Sequence, residues 1–238
     1  TGFSLQWFET LLYQDTLHEA LKNSLIVAIS SCTLATILGT LASRSATRYD
    51  FKGKQISLTF ILAPLILPEI IVGVSLLIVL IQLGLSLNIW SVILGHTLLI
   101  MPFSIIIMNS AFNNLDVSLE EASMDLGENR FGTFYRVILP LVFPGIIASL
   151  LIGFTLSLDE FIIAFFLTGT DTTLPVYIWS QFRFPKKLPT TMALGTILIF
   201  VSLILLSISE YYRRRTYSKD FLLSTEKEPT KPIKINKD

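Results

Sequence analysis

The chain has 238 residues, 52% of them hydrophobic and 15% charged, and its net charge is zero. Soluble domains carry about a quarter charged residues, so a water-soluble domain is excluded and a membrane protein is what remains. A spanning helix needs about 20 mostly apolar residues, and five segments provide them, at 22–43, 57–84, 88–112, 138–165 and 190–210.

The chain begins at Thr1, and residues 1–21 are polar and amphipathic, without the basic start and apolar core of a signal peptide. The first span holds Cys32, the single cysteine, among small residues, where helix packing is its expected role and a disulfide framework is excluded. The second span carries Pro64 and Pro68, one turn apart, and then Glu69. Two prolines remove two helical donors and kink or break a helix. Glu69 lies about 12 residues into the span, roughly 18 Å deep and near the middle of a hydrocarbon core about 30 Å thick. An acid there costs about 2.5–3.5 kcal/mol unless it faces a cavity or a partner. Glu69 therefore lines a cargo site, or is protonated or caps the broken helix at Pro68. His96 and Asn109 are the polar groups of the third span, and helix–helix hydrogen bonding is the expectation for both.

After the third span comes "LEEASMDLGENRFGTFYRVILP", 119–140, a charged stretch between two apolar runs. Ser118 and Glu121 fit a capping box that starts a short helix. Leu119, Ala122, Ser123 and Leu126 share one face, with Glu120, Met124 and Asp125 elsewhere on the surface. Gly127 stands where a C′ glycine ends a helix. A second helical run then enters the membrane through Ile138, Leu139 and Pro140. Short helix, glycine turn and span together make an elbow able to seat in a groove on another protein; an ordinary solvated loop is the alternative.

The apolar run 141–169 would measure about 43 Å as one straight helix, too long for a single crossing. A break near Ser157-Leu158-Asp159-Glu160 resolves the length. Successive helical residues point about 100° apart, so one of Asp159 and Glu160 can face a cavity while the other lies at the outer interface. Intramembrane acids without intramembrane Lys or Arg fit a cationic cargo. Phe161, Tyr177 and Trp179 offer aromatic faces for cation–π contact, although packing explains each of them equally well.

Basic residues set the orientation, because they stay cytoplasmic. Arg44, Arg48, Lys52 and Lys54 fall in one loop, Arg130 and Arg136 in another, and Arg213, Arg214, Arg215, Lys219, Lys227, Lys231, Lys234 and Lys237 in the tail. These three regions share a face. Only Arg183, Lys186 and Lys187 lie opposite, with Lys22 at a boundary. The elbow and the C-terminus are thus cytoplasmic and the visible start is outside, which predicts one further span upstream. Tyr211 and Tyr212, with the arginines after them, read as an interface anchor, and the division expected is a transmembrane domain at 1–221 and a disordered cytoplasmic tail at 222–238.

Glu121-Ala122-Ser123, Gly127 and Ile138-Leu139-Pro140 stand at the spacing of the EAA signature of ABC-importer permeases, which this segment resembles; it departs only at Ser123, where alanine is usual. "TRYDFKGK" at 47–54, "LPEIIVGVSLL" at 67–77 and "FTLSLDEFIIAFFLTG" at 154–169 extend the likeness to spermidine/putrescine permeases of the PotC type. The resemblance implies an all-α, polytopic transmembrane helical bundle of the MetI-like kind in the bacterial inner membrane. Six spans are implied for the complete protein, both termini being cytoplasmic, with the five visible ones as the second to sixth. It implies that 118–127 is a coupling helix docked on an ATP-binding subunit, with Glu121, Ala122, Ser123, Gly127, Leu139 and Pro140 as the coupling residues. It implies as partners a second, PotB-like permease subunit, an ATP-binding subunit dimer and a periplasmic polyamine-binding protein. Glu69, Asp159 and Glu160 are the candidate substrate-binding residues. The sequence has no GxxxxGK[ST] loop, no metal-ligand cluster and no catalytic constellation. No cofactor is expected in this chain, ATP and Mg belong to the partner ATPase, and no nucleic-acid partner is expected. The rival readings are an importer permease for another solute, such as ferric iron or an opine, and an ATP-independent channel or secondary transporter.

Overall fold

The computed structural model describes residues 6–201 together with 203, 204 and 207. The chain divides into two compact units, Thr1–Ile199 and Phe200–Asp238; the described residues of the second are all helical. The boundary expected at 221, the anchor around Tyr211 and Tyr212 and the tail at 222–238 lie outside the described residues.

The first unit opens with a short helix, α1 (Gln6–Leu11), and then the long α2 (Asp15–Arg48). No proline interrupts α2, and its buried face is built of small residues such as Ala28, Ser31, Ala35 and Gly39. Small residues let membrane helices approach closely, and α2 packs along both α5 (Ile89–Asn113) and α8 (Leu139–Asp159). The crossings carry polar ties as well: Ser43 Oγ donates to the Ile105 carbonyl at 3.0 Å, and the Thr36 and Ser149 hydroxyls meet at 2.9 Å. Cys32 is buried and free, and a Cβ on Gly153 would stand 3.1 Å from its Cβ, a packing position as expected.

Between α2 and α5 the chain forms α3 (Lys54–Leu62), a 3-10 turn (Ala63–Leu65) and α4 (Glu69–Gln82). The two arms meet at 107°. Pro68 has no N–H for the Pro64 carbonyl, so the helix stops there and restarts at Glu69. Among the described residues three helices are long and apolar enough to cross a membrane, Asp15–Arg48, Ile89–Asn113 and Arg130–Asp159, and the bent pair adds one more if it counts as one span. Asp15–Arg48 extends beyond the expected 22–43 at both ends, whereas Arg130–Asp159 begins before the expected 138–165 and stops short of its end. Of the fifth, expected at 190–210, residues 188–199 are helical within the first unit.

Contacts at the helix ends fix the direction of travel. Ser24, near the start of α2, accepts from Leu174 N–H at 2.7 Å, and Ile89 N–H donates to Asp171 Oδ2 at 3.1 Å, so the starts of α2 and α5 share one side with the 171–174 loop. The ends of α2 and α5 share the other side, where Arg48 donates to the Phe112 carbonyl at 3.2 Å. Two helices running the same way require the bent α3–α4 arm to carry the chain back once, which agrees with the orientation read from the basic residues.

On the Arg48 side lie α6 (Val117–Asp125) and α7 (Arg130–Thr133), followed by one widened π turn (Phe134–Ile138) that runs into α8. Leu139 N–H reaches back to the Phe134 carbonyl. Pro140 follows and cannot give its Arg136 carbonyl an α-type bond, so the wide turn sits where the donor is missing. At the far end α8 stops at Asp159, and α9 (Ile162–Leu167) tucks against α4 and α5. The expected break near 157–160 is therefore observed. α10 (Leu174–Gln181) closes the far side over a cluster that includes Leu11, Leu17, Ala193 and Leu194.

Candidate functional site

Two places stand out, a cavity at the breaks in the helices and the elbow on the opposite side of the bundle from the 171–174 loop. The cavity measures about 170 Å³ and is lined by Pro64, Leu65, Leu67 and Glu69 at one break, by His96, Leu99, Ile100 and Phe103 of α5, and by Leu156, Ser157 and Glu160 at the other break. Among the described residues its ionisable lining comprises two carboxylates and one imidazole, with no Lys or Arg. Glu69 is the first residue of α4, where the positive end of the helix dipole favours an anion. Glu160 follows the last turn of α8, and its Oε1 accepts from Ile163 N–H at 2.9 Å, satisfying a free donor at the start of α9. Glu160 therefore caps a helix and faces the cavity as well. The structure brings Glu69 and Glu160 to one wall; Asp159 lies outside it, on an exposed face of α8.

His96 is buried at 1% exposure, and its Nδ1 lies 2.7 Å from the Ser157 hydroxyl. Ser31 donates to Ser157 at 3.1 Å. Ser157 thus links the ring to α2 as well as to α8. Nε2 is buried without a hydrogen-bond partner among the described residues, on a ring that lines the cavity. The expected helix–helix bond of His96 is present, but its place in the cavity wall was not foreseen. Phe103 was also missed, because nothing in a local apolar run marks which aromatic turns inward. Asn109 departs from expectation: its Oδ1 is buried without a partner among the described residues. Of the three aromatics named from sequence, none lines the cavity. Tyr177 is packed into the α10 cluster with its hydroxyl donating to Gln14 Oε1 at 2.7 Å, and Phe161 stacks between Phe165 and Trp179. Among the described residues no three His, Cys, Asp or Glu side chains gather as metal ligands would.

The elbow is built by local chemistry. α6 begins one residue before Ser118: its cap is Asp116, whose Oδ1 accepts from Ser118 N–H at 2.9 Å. This corrects the capping box placed at Ser118 and Glu121. That bond holds the Asp116 carboxyl below the usual carboxylate range. α6 ends in a Schellman turn. Gly127, at φ +94°, donates to the Met124 carbonyl at 2.9 Å, and Glu128 N–H donates to the Ser123 carbonyl at 3.2 Å. Gly127 is thus the C′ glycine that its position suggested. Ser123 is buried and its hydroxyl lies 3.1 Å from that of Thr133, so the departure from alanine adds a tie between α6 and α7.

Most apolar residues of α6 stay exposed among the described residues, although Ser123 on the same expected face is buried. Leu119 is 43% exposed and Leu126 88%, and Glu121 and Ala122 are exposed beside them. The inward contacts are Ser123 and Glu120, the latter paired with Arg48 at 2.6 Å. Glu120 was expected on the open surface and is instead turned into the bundle. Leu139 and Pro140 open α8 directly after the widened turn.

Polar ties between parallel spans, helices broken around an acidic cavity and a short elbow helix with a bare apolar face together describe an importer permease, a channel-forming subunit without an ATP site. The chain belongs to the family of binding-protein-dependent transport system inner membrane components, whose sequence profile matches residues 35–217. It is 33% identical over 214 residues to the spermidine/putrescine transport system permease protein PotC of Escherichia coli, covering 90% of this chain and 81% of that one. It is 35% identical over 215 residues to PotC of Haemophilus influenzae, covering 90% and 83%. It is also 35% identical over 209 residues to the putrescine transport system permease protein PotI of Escherichia coli, covering 83% and 73%. The fold matches a chain of a bacterial ABC transporter that imports the acidic polysaccharide alginate, with a TM-score of 0.71 at 18% identity over 90% of this chain and 84% of that one. It matches the MetNI methionine ABC transporter with a TM-score of 0.65 at 14% identity over 90% and 99%. The chain is an inner-membrane, multi-pass permease subunit of an ABC importer. It is not itself catalytic, carries no cofactor, and works in a complex with an ATPase that binds ATP and with a periplasmic binding protein.

Proposed function

We propose that this chain translocates polyamines such as spermidine and putrescine, and that Glu69 and Glu160 hold the ammonium groups of the cargo. The observation that carries the reading is the meeting of two carboxylates, from two separate helix breaks, on one cavity without a basic residue. A carboxylate and an ammonium form a charge-assisted hydrogen bond, roughly twice as strong as a neutral one. Leu99, Ile100 and Leu156 suit the methylene stems between the charges, and the face of Phe103 suits cation–π contact. The spermidine and putrescine permeases among the relatives support the same cargo. Asp159 joins this site from the open side of α8: an acid on a lipid-facing surface is costly, and a second, PotB-like permease covers that face and completes the cavity.

The elbow couples this cavity to ATP. The exposed face of α6, with Glu121 and Ala122 on it, docks on one subunit of an ATPase dimer. Ser123 ties α6 to α7, Gly127 makes the turn, and Leu139 and Pro140 begin the span that moves. The C-terminus lies on the same cytoplasmic side.

Uptake into proteoliposomes carrying the whole complex, with loaded binding protein outside and ATP inside, tests the cargo. Glu69→Gln and Glu160→Gln remove the charge and keep one acceptor oxygen on each side chain, which at Glu160 can still cap α9. Each is expected to raise KM for spermidine about tenfold to a hundredfold, from roughly 1.5–3 kcal/mol per charged contact. Unchanged spermidine and putrescine uptake in the double variant overturns the polyamine assignment.

A further inference from the structure

Most apolar residues of α6 stay exposed among the described residues, so polar contacts hold the helix to its own chain. One of them reaches furthest into the structure. Arg48, the last residue of α2, donates Nε to Glu120 Oε1 at 2.6 Å and Nη2 to the Phe112 and Leu115 carbonyls, both at 3.2 Å. Both side chains of the pair are only 13% exposed. Phe112 is in the last turn of α5 and Leu115 lies just past it.

One guanidinium thus joins the ends of α2 and α5 to α6. The electrostatics give it a specific place. The C-termini of two helices converge here, each carrying about half a negative charge, and Glu120 adds a full one. The guanidinium is the cation that the structure puts among them. Its planar fork serves the carboxylate through Nε and both carbonyls through Nη2, a fixed geometry that the ammonium of a lysine does not reproduce.

We propose that Arg48 is a positioning residue for coupling: it fixes α6 to α2 and α5, so that displacement of α6 by the ATPase is delivered to those two spans as well as through Gly127 to α8. The proposal rests on the reading of α6 as the coupling helix, and a merely structural salt bridge would behave differently in the following respect. Without Arg48, Glu120 is left as a carboxylate facing two negative helix ends and is driven outward, taking α6 with it. Without Glu120, Arg48 keeps both carbonyls and stays in place. Loss of the arginine should therefore do more harm than loss of the acid, and removing both should be milder than removing Arg48 alone.

The complete complex in proteoliposomes gives the measurement: spermidine moved per ATP hydrolysed, in the presence of loaded binding protein. Arg48→Ala is expected to lower that ratio about fivefold or more, the lower range of ordinary coupling energies. Arg48→Lys should fall between Arg48→Ala and wild type, Glu120→Ala should lose less than Arg48→Ala, and the double variant Arg48→Ala/Glu120→Ala should recover part of the loss. If Arg48→Ala fails to assemble, Arg48→Lys takes its place in the measurement, and a wild-type ratio there overturns the proposal. A wild-type ratio in Arg48→Ala, or a double variant no better than Arg48→Ala, overturns the proposal. Gly127→Val separates the two layers. If it leaves the ratio unchanged, the coupling-helix reading itself fails. If it lowers the ratio while Arg48→Ala does not, only the role of Arg48 fails.

Discussion

At Gly39 a single hydrogen stands where any side chain would strike the next helix. A Cβ there would lie 2.6 Å from the Ser104 Cβ and 3.1–3.2 Å from the backbone of Ser104 and Ile105. A flexible side chain can give way, but a helix backbone inside a three-helix contact cannot. Gly39→Ala is therefore expected to destabilise the α2–α5 crossing by roughly 1–3 kcal/mol, the usual cost of overpacking, and to lower the thermal midpoint of the complex in mild detergent. An unchanged midpoint would mean that the helices can part at no cost. Glu69 and Glu160 could be picked out from the sequence because an acid within an apolar run is expensive wherever it points. His96 and Phe103 could not be placed in the cavity, since one polar or aromatic residue on a span is equally at home between helices. Only the three-helix relay through Ser31 and Ser157 shows which way the ring faces.

Helix boundaries were legible where a residue lacks a donor or needs a left-handed backbone. Pro64 and Pro68 announce the 107° break, and Gly127 announces the end of α6. The start of α6 was harder, because Asp116 and Ser118 are both good cap formers two residues apart. The acid takes the role, its side chain accepting from the N–H of the serine itself. Asp116→Ala should loosen the first turn of α6 and reduce ATPase stimulation by loaded binding protein, whereas Asp116→Asn, which retains the acceptor, should stay near wild type. Equal effects of the two would exclude capping as the cause. Because the folded state lowers the pKa of this acid, its contribution is complete above the ordinary carboxylate range and fades as pH falls through the lowered value. Neutral and mildly acidic media leave it intact. The Arg48–Glu120 pair was invisible from sequence for a different reason. The two residues sit in separate loops of the sequence pattern, and each reads there as ordinary surface charge.

Across the whole molecule, burial is uneven. In α5 the most apolar stretch is 61% buried within the chain, while in the fourth span it is 22%. α5 is the axis of this subunit, and α8 has most of its surface uncovered by the described residues of its own chain. The contacts show which helix ends share a side, the basic residues propose which side is cytoplasmic, and surface labelling checks it. Cys32 is buried, so single cysteines can be placed against a quiet background. Lys186→Cys is expected to react with a membrane-impermeant thiol reagent on intact cells, and Lys52→Cys only after the cells are opened. The reverse pattern would invert the molecule and remove α6 from the ATPase side.

The widened turn before Pro140 adds something to the elbow that a glycine alone does not provide. Gly127 turns the chain sharply through its left-handed backbone. The five residues from Phe134 are wound wider than the α turns beyond them, and in the proposed coupling a push on α6 would pass through that wider turn into α8 as twist about its axis. A helix driven in this way would turn its far end, where Ser157 and Glu160 stand, without having to slide through the bilayer.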